Sequence, residues 1–414
     1  MGDWIGGGSF VVRYMKVSIS MPLRRLNPCK LGRRYHSSLL FWITLIIGNF
    51  ASNASVVLRI AYGWSLYDDS YGLSVEDKDR QVDEINSITY TLPQAIAQGS
   101  YLVNSIPDLV HIPTWFPGAG WKRAGLEAHT QWTEKFTVFG DVREKLATGK
   151  VEHCLSANLV ANEEKFGLEN RETAWLTGIM FAAGSETTGS TLAFVVLAMI
   201  AHPDALRQAH AELDSIVGRD RTPTFEDRPY LPYINAIVKE VLRWRPAAPL
   251  GLPRRCIQDD WYHGYFIPKG ATVFKNIWAI SHNPMVFPDP QEFRPARFLD
   301  EEKKDQPELS ADDGLDPKIR TNVDKLYAFG FGRRICLGMH LANNSLFIAV
   351  ATLLWACDIT NAVEKDGKAI VPDVNAIYDT GVAVHPSPFE CQIKPCFAGV
   401  ESLVSSVVSE WFRE

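Results

Sequence analysis

From residue ~52 to ~245, apolar positions recur at three- and four-residue spacing, the pattern of helices that pack through one face. Arg171 to Ala201 reads as one long helix, apolar on nearly every side except for a polar waist at Gly184–Ser190. A helix apolar all round lies in a core or in a membrane; the waist predicts the centre of a globular protein. After His202-Pro203 an amphipathic helix begins, with Leu206, Ala209, Leu213, Ile216 and Val217 on one stripe and Gly218 ending it. Residues 106–120 form a proline-rich break between helical regions. Beyond residue 245 the pattern changes, because Pro246, Pro249 and Pro253 forbid a continuous helix. Trp261 to Phe274 predicts a short hairpin turning at Pro268–Gly270, and Thr380 to Ile393 predicts short edge strands. Met339 to Cys357 is a second apolar helical run. The class is mainly α with small β-sheets.

At 414 residues the chain has room for two or three average domains or one large helical one, and 46% apolar residues suffice for a sizeable core. A net charge of −6 without any long basic block gives no sign of a nucleic-acid partner. Seven scattered cysteines are odd in number, which fits a reducing compartment better than a disulfide framework. Cys391 and Cys396 have no ligand cluster beside them in sequence and read as structural. The front is divided from the rest as an atypical segment, 1–52, ahead of a main domain, 53–414. Within it the uncharged run 39–51, extended to 58, reaches the ~20 residues of a membrane span only by including Asn49, Ser52, Asn53 and Ser55. Membrane contact is expected of residues 39–58; a span is left open. Sequons at Asn53 and Asn343 are weak, and Asn343 falls in a helix expected to be buried.

One short stretch changes the picture most: Phe329-Gly-Phe-Gly332-Arg-Arg334-Ile-Cys336-Leu-Gly338. A lone cysteine sits among glycines and arginines directly before a helix. Gly332 and Gly338 let the backbone turn sharply and approach a flat ligand. Arg333 and Arg334 bring positive charge, and the following helix turns its N-terminal dipole toward the sulfur, favouring the thiolate. Phe329 can cover one side and keep water away. The plain alternative is a buried structural cysteine at a helix start.

Phe-x-x-Gly-x-Arg-x-Cys-x-Gly resembles the haem-binding signature of the cytochrome P450 superfamily, the haem-thiolate monooxygenases. The resemblance implies the P450 fold, haem b (iron protoporphyrin IX) with Cys336 as its axial iron ligand, and chemistry in which thiolate ligation favours O–O cleavage. It implies that Phe329, Gly332, Arg334 and Gly338 belong to the haem site. It also gives sense to the waist Ala183-Gly184-Ser185-Glu186-Thr187-Thr188, otherwise a Ser/Thr-rich kink. Ala183 and Gly184 would leave room for dioxygen, Thr187 would hydrogen-bond it or a water, and Glu186, where many members carry Asp, would relay protons. Glu240 and Arg243, alone an ordinary i,i+3 ion pair, are implied to form with Arg297 of Pro295-Ala-Arg297-Phe298 a buried structural triad bracing the cysteine loop. Arg254, or Arg255 if the register slips by one, is implied as a second propionate partner. Ala247–Leu252 and Gly381–Ala383 are expected to line a pocket, or else to be plain core.

The resemblance runs over about residues 52–396 and is strongest to fungal members, including wood-decay and secondary-metabolism enzymes. It departs at the front: residues 1–52 hold no Trp-x-x-x-Arg and are too short for the usual anchor, first sheet and haem-contacting helix. A fragment, a divergent form or a mistaken start remain open. The resulting expectation is oxygen insertion from O2 into a hydrophobic small molecule at the cytosolic face of the endoplasmic reticulum membrane. Electrons would come from an NADPH-cytochrome P450 reductase, since no Gly-rich dinucleotide motif is present. The rival readings are a truncated, non-catalytic haem-binding or membrane-associated protein, and a haem-thiolate isomerase or dehydratase, against which Thr187 and Glu186 speak.

Overall fold

A computed structural model of the protein describes residues 15–18, 50–63, 101–140, 154–299, 327–381 and 383–404. The chain divides into two compact units, one of Met1–Arg13, Pro22–Gly189 and Val408–Glu414, the other of Tyr14–Met21 and Ser190–Val407. The division falls inside the long polar-waisted helix, which runs unbroken over Asn170–Ala201.

The first unit holds α1 (Phe50–Tyr62), α2 (Gly120–Gly140), α3 (Leu155–Ala161) and the first part of α4 (Asn170–Ala201). A 3-10 turn at Pro107–His111 occupies the proline-rich break. Val57, Leu58, Ala61 and Tyr62 of α1 are buried, so residues 56–58 of the stretch expected to meet a membrane have a face packed in protein; residues 39–49 lie outside the described residues. Ser156 of α3 donates to the carbonyl of Ala61 at 2.8 Å. Burial pushes the Tyr62 phenol pKa up, partly opposed by its hydrogen bond with Thr177. Phe136 of α2 lies against α4 at Gly178, where a β-carbon would overlap its ring. The expected effect of Gly178→Ala is a loss of about 1–3 kcal/mol from overpacking, which outweighs the ~1 kcal/mol helix-propensity gain of alanine over glycine. Thermal unfolding measures it, and an unchanged or higher midpoint would show that Phe136 swings aside freely.

The second unit contains the rest of α4, α5 (Pro203–Ile216), α6 (Pro232–Trp244), α7 (Ile277–Ser281) and α8 (Met339–Ala356). Helices α5, α6 and α8 pack on one another around Leu213, Ile237, Val241, Phe347 and Leu354, all at most 1% exposed. No side chain caps α6 from its own N-terminus; instead Glu212 of α5 accepts from the backbone N–H groups of Tyr233 and Ile234 at 2.8 and 3.0 Å. That satisfies donors which a helix start otherwise leaves bare. Among the described residues two helices, Asn170–Ala201 and Met339–Ala356, are long and apolar enough to cross a membrane by composition, with 83% and 44% of their apolar windows buried inside the protein.

Short strands complete the second unit. A four-stranded sheet has the order β1 (Met15–Ser18), β10 (Phe389–Pro395), β6 (Cys357–Val363), β7 (Ala369–Ile370). Thus β10 has neighbours on both sides and is not the edge strand its prolines suggested. Pro388 precedes it and Pro395 ends it, while Phe389, Cys391 and Ile393 alternate inward. The hairpin also differs from expectation: β3 (Asp260–Tyr262) pairs with β4 (Tyr265–Ile267) through His263 and Gly264, at φ 48° and 82°. Positive φ at both central residues suits the twist of two-residue hairpins. The Pro268–Gly270 turn leads into a separate ladder, β5 (Thr272–Val273) against β2 (Arg254–Arg255). The remaining pair is β8 (Ile377–Asp379) with β9 (Val384–Pro386).

Candidate functional site

Cys336 is exposed, on a loop built by two 3-10 turns, Tyr327–Phe329 and Gly332–Arg334, ahead of α8. Gly330 and Gly332 both sit at φ 70°, the left-handed region where side chains are strained. The N–H of Cys336 donates to the carbonyl of Phe329 at 2.9 Å, closing the loop on itself. The Phe329 side chain itself is half-buried. Gly338 is the N-cap of α8; a β-carbon there would stand 3.9 Å from the Cys336 sulfur. Around the thiol, Phe331, Ile335 and Leu337 are 44%, 41% and 88% exposed.

Arg333 and Arg334 are exposed in the same loop. Arg254 and Arg255 point to opposite sides of their strand, as neighbours in a strand must. The Arg255 guanidinium comes within 3.6 Å of a β-carbon placed on Gly270, whereas Arg254 acts on Lys275. Lys275 extends along the cysteine loop, its ammonium 5.0 Å from the centre of the Phe331 ring. Burial and then repulsion from Arg254 push the Lys275 pKa down. Sequence reasoning missed Lys275, whose proximity to the loop is a tertiary contact without a motif.

Behind the loop, α6 and α7 pack on the Tyr327–Phe329 turn. Glu240 of α6 is fully buried and takes both ends of one guanidinium, Arg243 Nε at 2.7 Å and Nη2 at 2.8 Å. Arg297 Nε adds a bond at 3.1 Å and the N–H of Arg294 another at 2.8 Å. The remaining guanidinium protons are not idle. Arg243 donates to the carbonyls of Ser281, Pro290 and Glu292, and Arg297 to those of Pro288, Asp289 and Glu292. One carboxylate and two cations thereby organise an irregular stretch of chain. Burial lowers the Arg297 pKa, with Glu240 opposing. Nearby, burial pushes the His282 imidazole down to about 4, and Arg243, Arg245 and Arg297 depress it further against a hydrogen bond with the Trp278 carbonyl.

In the first unit, α4 presents an open stripe. Leu176 and Ile179 are 48% and 46% exposed, Ala183 is exposed and Thr187 half-buried. Their spacing puts them on one face of the helix. The Thr187 hydroxyl donates to the Ala183 carbonyl at 2.9 Å, and Glu186 is 6% exposed. At Gly184 a β-carbon would stand 3.0 Å from Val57 of α1, so its missing side chain admits a neighbouring helix. In the second unit, Val384 N–H donates to the Ala247 carbonyl at 2.9 Å and Trp278 N–H to that of Pro249 at 2.9 Å. The two segments expected to line a pocket are thus adjacent.

The donor set around Cys336 suits a haem. An exposed thiol offers a soft ligand, Phe331, Ile335 and Leu337 offer apolar surface, and Arg254, Lys275 and Arg334 offer charge for carboxylates. Among the described residues there is no group of three or more His, Cys, Asp or Glu able to hold a bare metal ion.

Comparison with known proteins agrees with this geometry. A family model described as cytochrome P450 matches residues 83–392. Cytochrome P450 monooxygenase 58 of Postia placenta is 43% identical over 355 residues, covering 86% of this chain and 64% of that protein. A cytochrome P450 monooxygenase of Armillaria gallica is 39% identical over 330 residues, covering 79% of this chain and 61% of its own. Among solved structures, a zebra fish cytochrome P450 determined with progesterone superposes with a TM-score of 0.62 at 26% identity, covering 88% of this chain and 73% of the other. This chain therefore spans 64% and 61% of the lengths of those two fungal relatives.

Proposed function

The chain belongs to the cytochrome P450 family, and from that premise we propose that it is a haem-thiolate monooxygenase inserting one oxygen atom of O2 into a hydrophobic small molecule. The observation that carries the proposal is the exposed Cys336 thiol, set by a closed glycine loop at the start of α8 and surrounded by apolar and cationic side chains. Family membership implies haem with a cysteine thiolate ligand; haem b is the form proposed. The cofactor, when bound, supplies oxygen activation.

The chain's own residues supply the rest. Cys336 would hold the haem iron, and its own N–H, bonded to the Phe329 carbonyl, fixes the position of the residue in the loop. Arg334 and Arg254 take carboxylates. The segments Ala247–Leu252 and Gly381–Ala383 contribute apolar walls that hold a substrate and exclude water. Thr187, whose hydroxyl rests on the Ala183 carbonyl, can swing its proton toward a ligand or water, and buried Glu186 relays protons to it. Glu240, Arg243 and Arg297 act structurally. An NADPH-cytochrome P450 reductase is the proposed electron source, at the cytosolic face of the endoplasmic reticulum membrane. Secondary metabolism or xenobiotic oxidation is the proposed setting.

The carbon monoxide difference spectrum of the reduced full chain tests the reading: a thiolate-type Soret band supports it, and its absence with haem bound removes it. Thr187→Ala tests the proton route. The expected outcome is continued reductant consumption with a several-fold lower yield of product and a matching rise in hydrogen peroxide, because proton delivery by a positioned side chain is disturbed. Equal product per reductant in mutant and wild type would assign the waist another purpose.

A further inference from the structure

Lys275 is held in a channel that two glycines make for it. A β-carbon on Gly251 would come within 3.2 Å of its Cβ, and one on Gly330 within 3.0 Å of its ammonium. Both glycines are at positive φ, 58° and 70°, so neither position readily accepts a side chain that would push the lysine out. The absent side chain of Gly251 leaves space for the base of the stem, and that of Gly330 for the charged tip, which lies over the Phe331 ring of the cysteine loop. Like charge sits beside it: Arg254 repels Lys275, and burial adds to the penalty. Among the described residues neither side chain has an ion-pair partner. Two like charges that repel one another beside a ligand loop are stabilised by an anion that reaches both.

We propose that Lys275 is a further cofactor-binding residue, which with Arg254 takes a carboxylate at the haem edge and so sets the affinity and seating of the cofactor. The proposal rests on the haem-thiolate reading. An ammonium is a compact point charge, so it accepts a carboxylate from several directions and complements the planar fork of Arg254. The competing account is purely local: Lys275 covers the Phe331 ring as a cation–π contact and packs the loop.

The test titrates haem-free full-length protein with ferric protoporphyrin IX and with its dimethyl ester, which lacks the two negative charges. Wild type, Lys275→Met and Lys275→Arg are compared, with thermal unfolding of the haem-free forms as a fold control. The expected result is about tenfold weaker binding of the free acid by Lys275→Met, the size of one charge-assisted hydrogen bond. Ester binding should be unchanged, and Lys275→Arg should recover most of the loss. Equal weakening of both porphyrins, or of neither, overturns the assignment in favour of packing. If Lys275→Met lowers the haem-free unfolding midpoint, Lys275→Gln replaces it and the same two outcomes decide. A wild type that binds both porphyrins with a thiolate spectrum while Lys275→Met matches it leaves the family reading standing and removes only this proposal. A wild type that binds neither removes both.

Discussion

Cys336→Ala abolishes the thiolate-type carbon monoxide band and product formation, whereas Cys357→Ala leaves the band in place. The two residues lie at opposite ends of α8 and differ in every property that matters. Cys336 is exposed on a preformed loop, with Arg333 and Arg334 adjoining it and a helix N-terminus following. Those features leave its sulfur accessible to a ligand. Cys357 is fully buried at the start of β6, where burial pushes its thiol pKa far up. It behaves as a small apolar side chain, and its loss should cost about 1 kcal/mol of packing, roughly one buried methylene-sized group. Activity in the Cys336 variant should fall to background because no other described cysteine stands in a comparable loop. Spectra of the two purified variants decide the matter. A normal band in Cys336→Ala would defeat the central assignment, and a lost band in Cys357→Ala would show that α8 cannot tolerate the change.

Glu240→Ala should unfold the second unit before it affects any rate. The substitution leaves Arg243 and Arg297 buried, at 2% and 1% side-chain exposure, without their shared carboxylate. Removing one partner of a buried pair costs about 3–5 kcal/mol, against a total stability of roughly 5–15 kcal/mol. Arg297→Ala should be milder, because Glu240 keeps the bidentate bond from Arg243 and the Arg294 N–H. The ranking, Glu240→Ala more destabilised than Arg297→Ala, distinguishes a hub from a simple pair. Chemical denaturation of both variants, with haem content measured alongside, provides the check. Native midpoints in both would mean that the brace is dispensable.

Much of this architecture was legible in the residues because it depends on local repetition. The helix at Asn170–Ala201 and the amphipathic one ending near Gly218 followed from apolar spacing. The hairpin turn was misplaced because His263-Gly264 and Pro268–Gly270 both carry turn chemistry, and only strand pairing tells which one reverses the ladder. The interior position of β10 was hidden since its neighbours β1 and β6 come from elsewhere in the chain. Glu240, Arg243 and Arg297 were named from a resemblance; their spacing alone could not reveal that the two guanidinium groups also gather carbonyls from Ser281 to Glu292. The neighbour that Gly184 admits, Val57, lies far back in sequence and could not be read from a local window. Lys275 escaped for the same reason: it is placed by Gly251 and Gly330, and no short window contains all three.

The brace has a consequence for biosynthesis. Glu240 precedes Arg297 by 57 residues, so at ~5–20 residues per second the carboxylate waits ~3–11 seconds on the ribosome for its second cation. Arg243, on the same helix turn, is its companion in the interval. The loop bearing Cys336 is synthesised later still, onto a scaffold whose charges have already been matched. Cofactor capture is then a closing event, and a released chain that ends between Glu292 and Arg297 should be open to proteases across Pro288–Glu292, the stretch whose carbonyls Arg297 otherwise gathers.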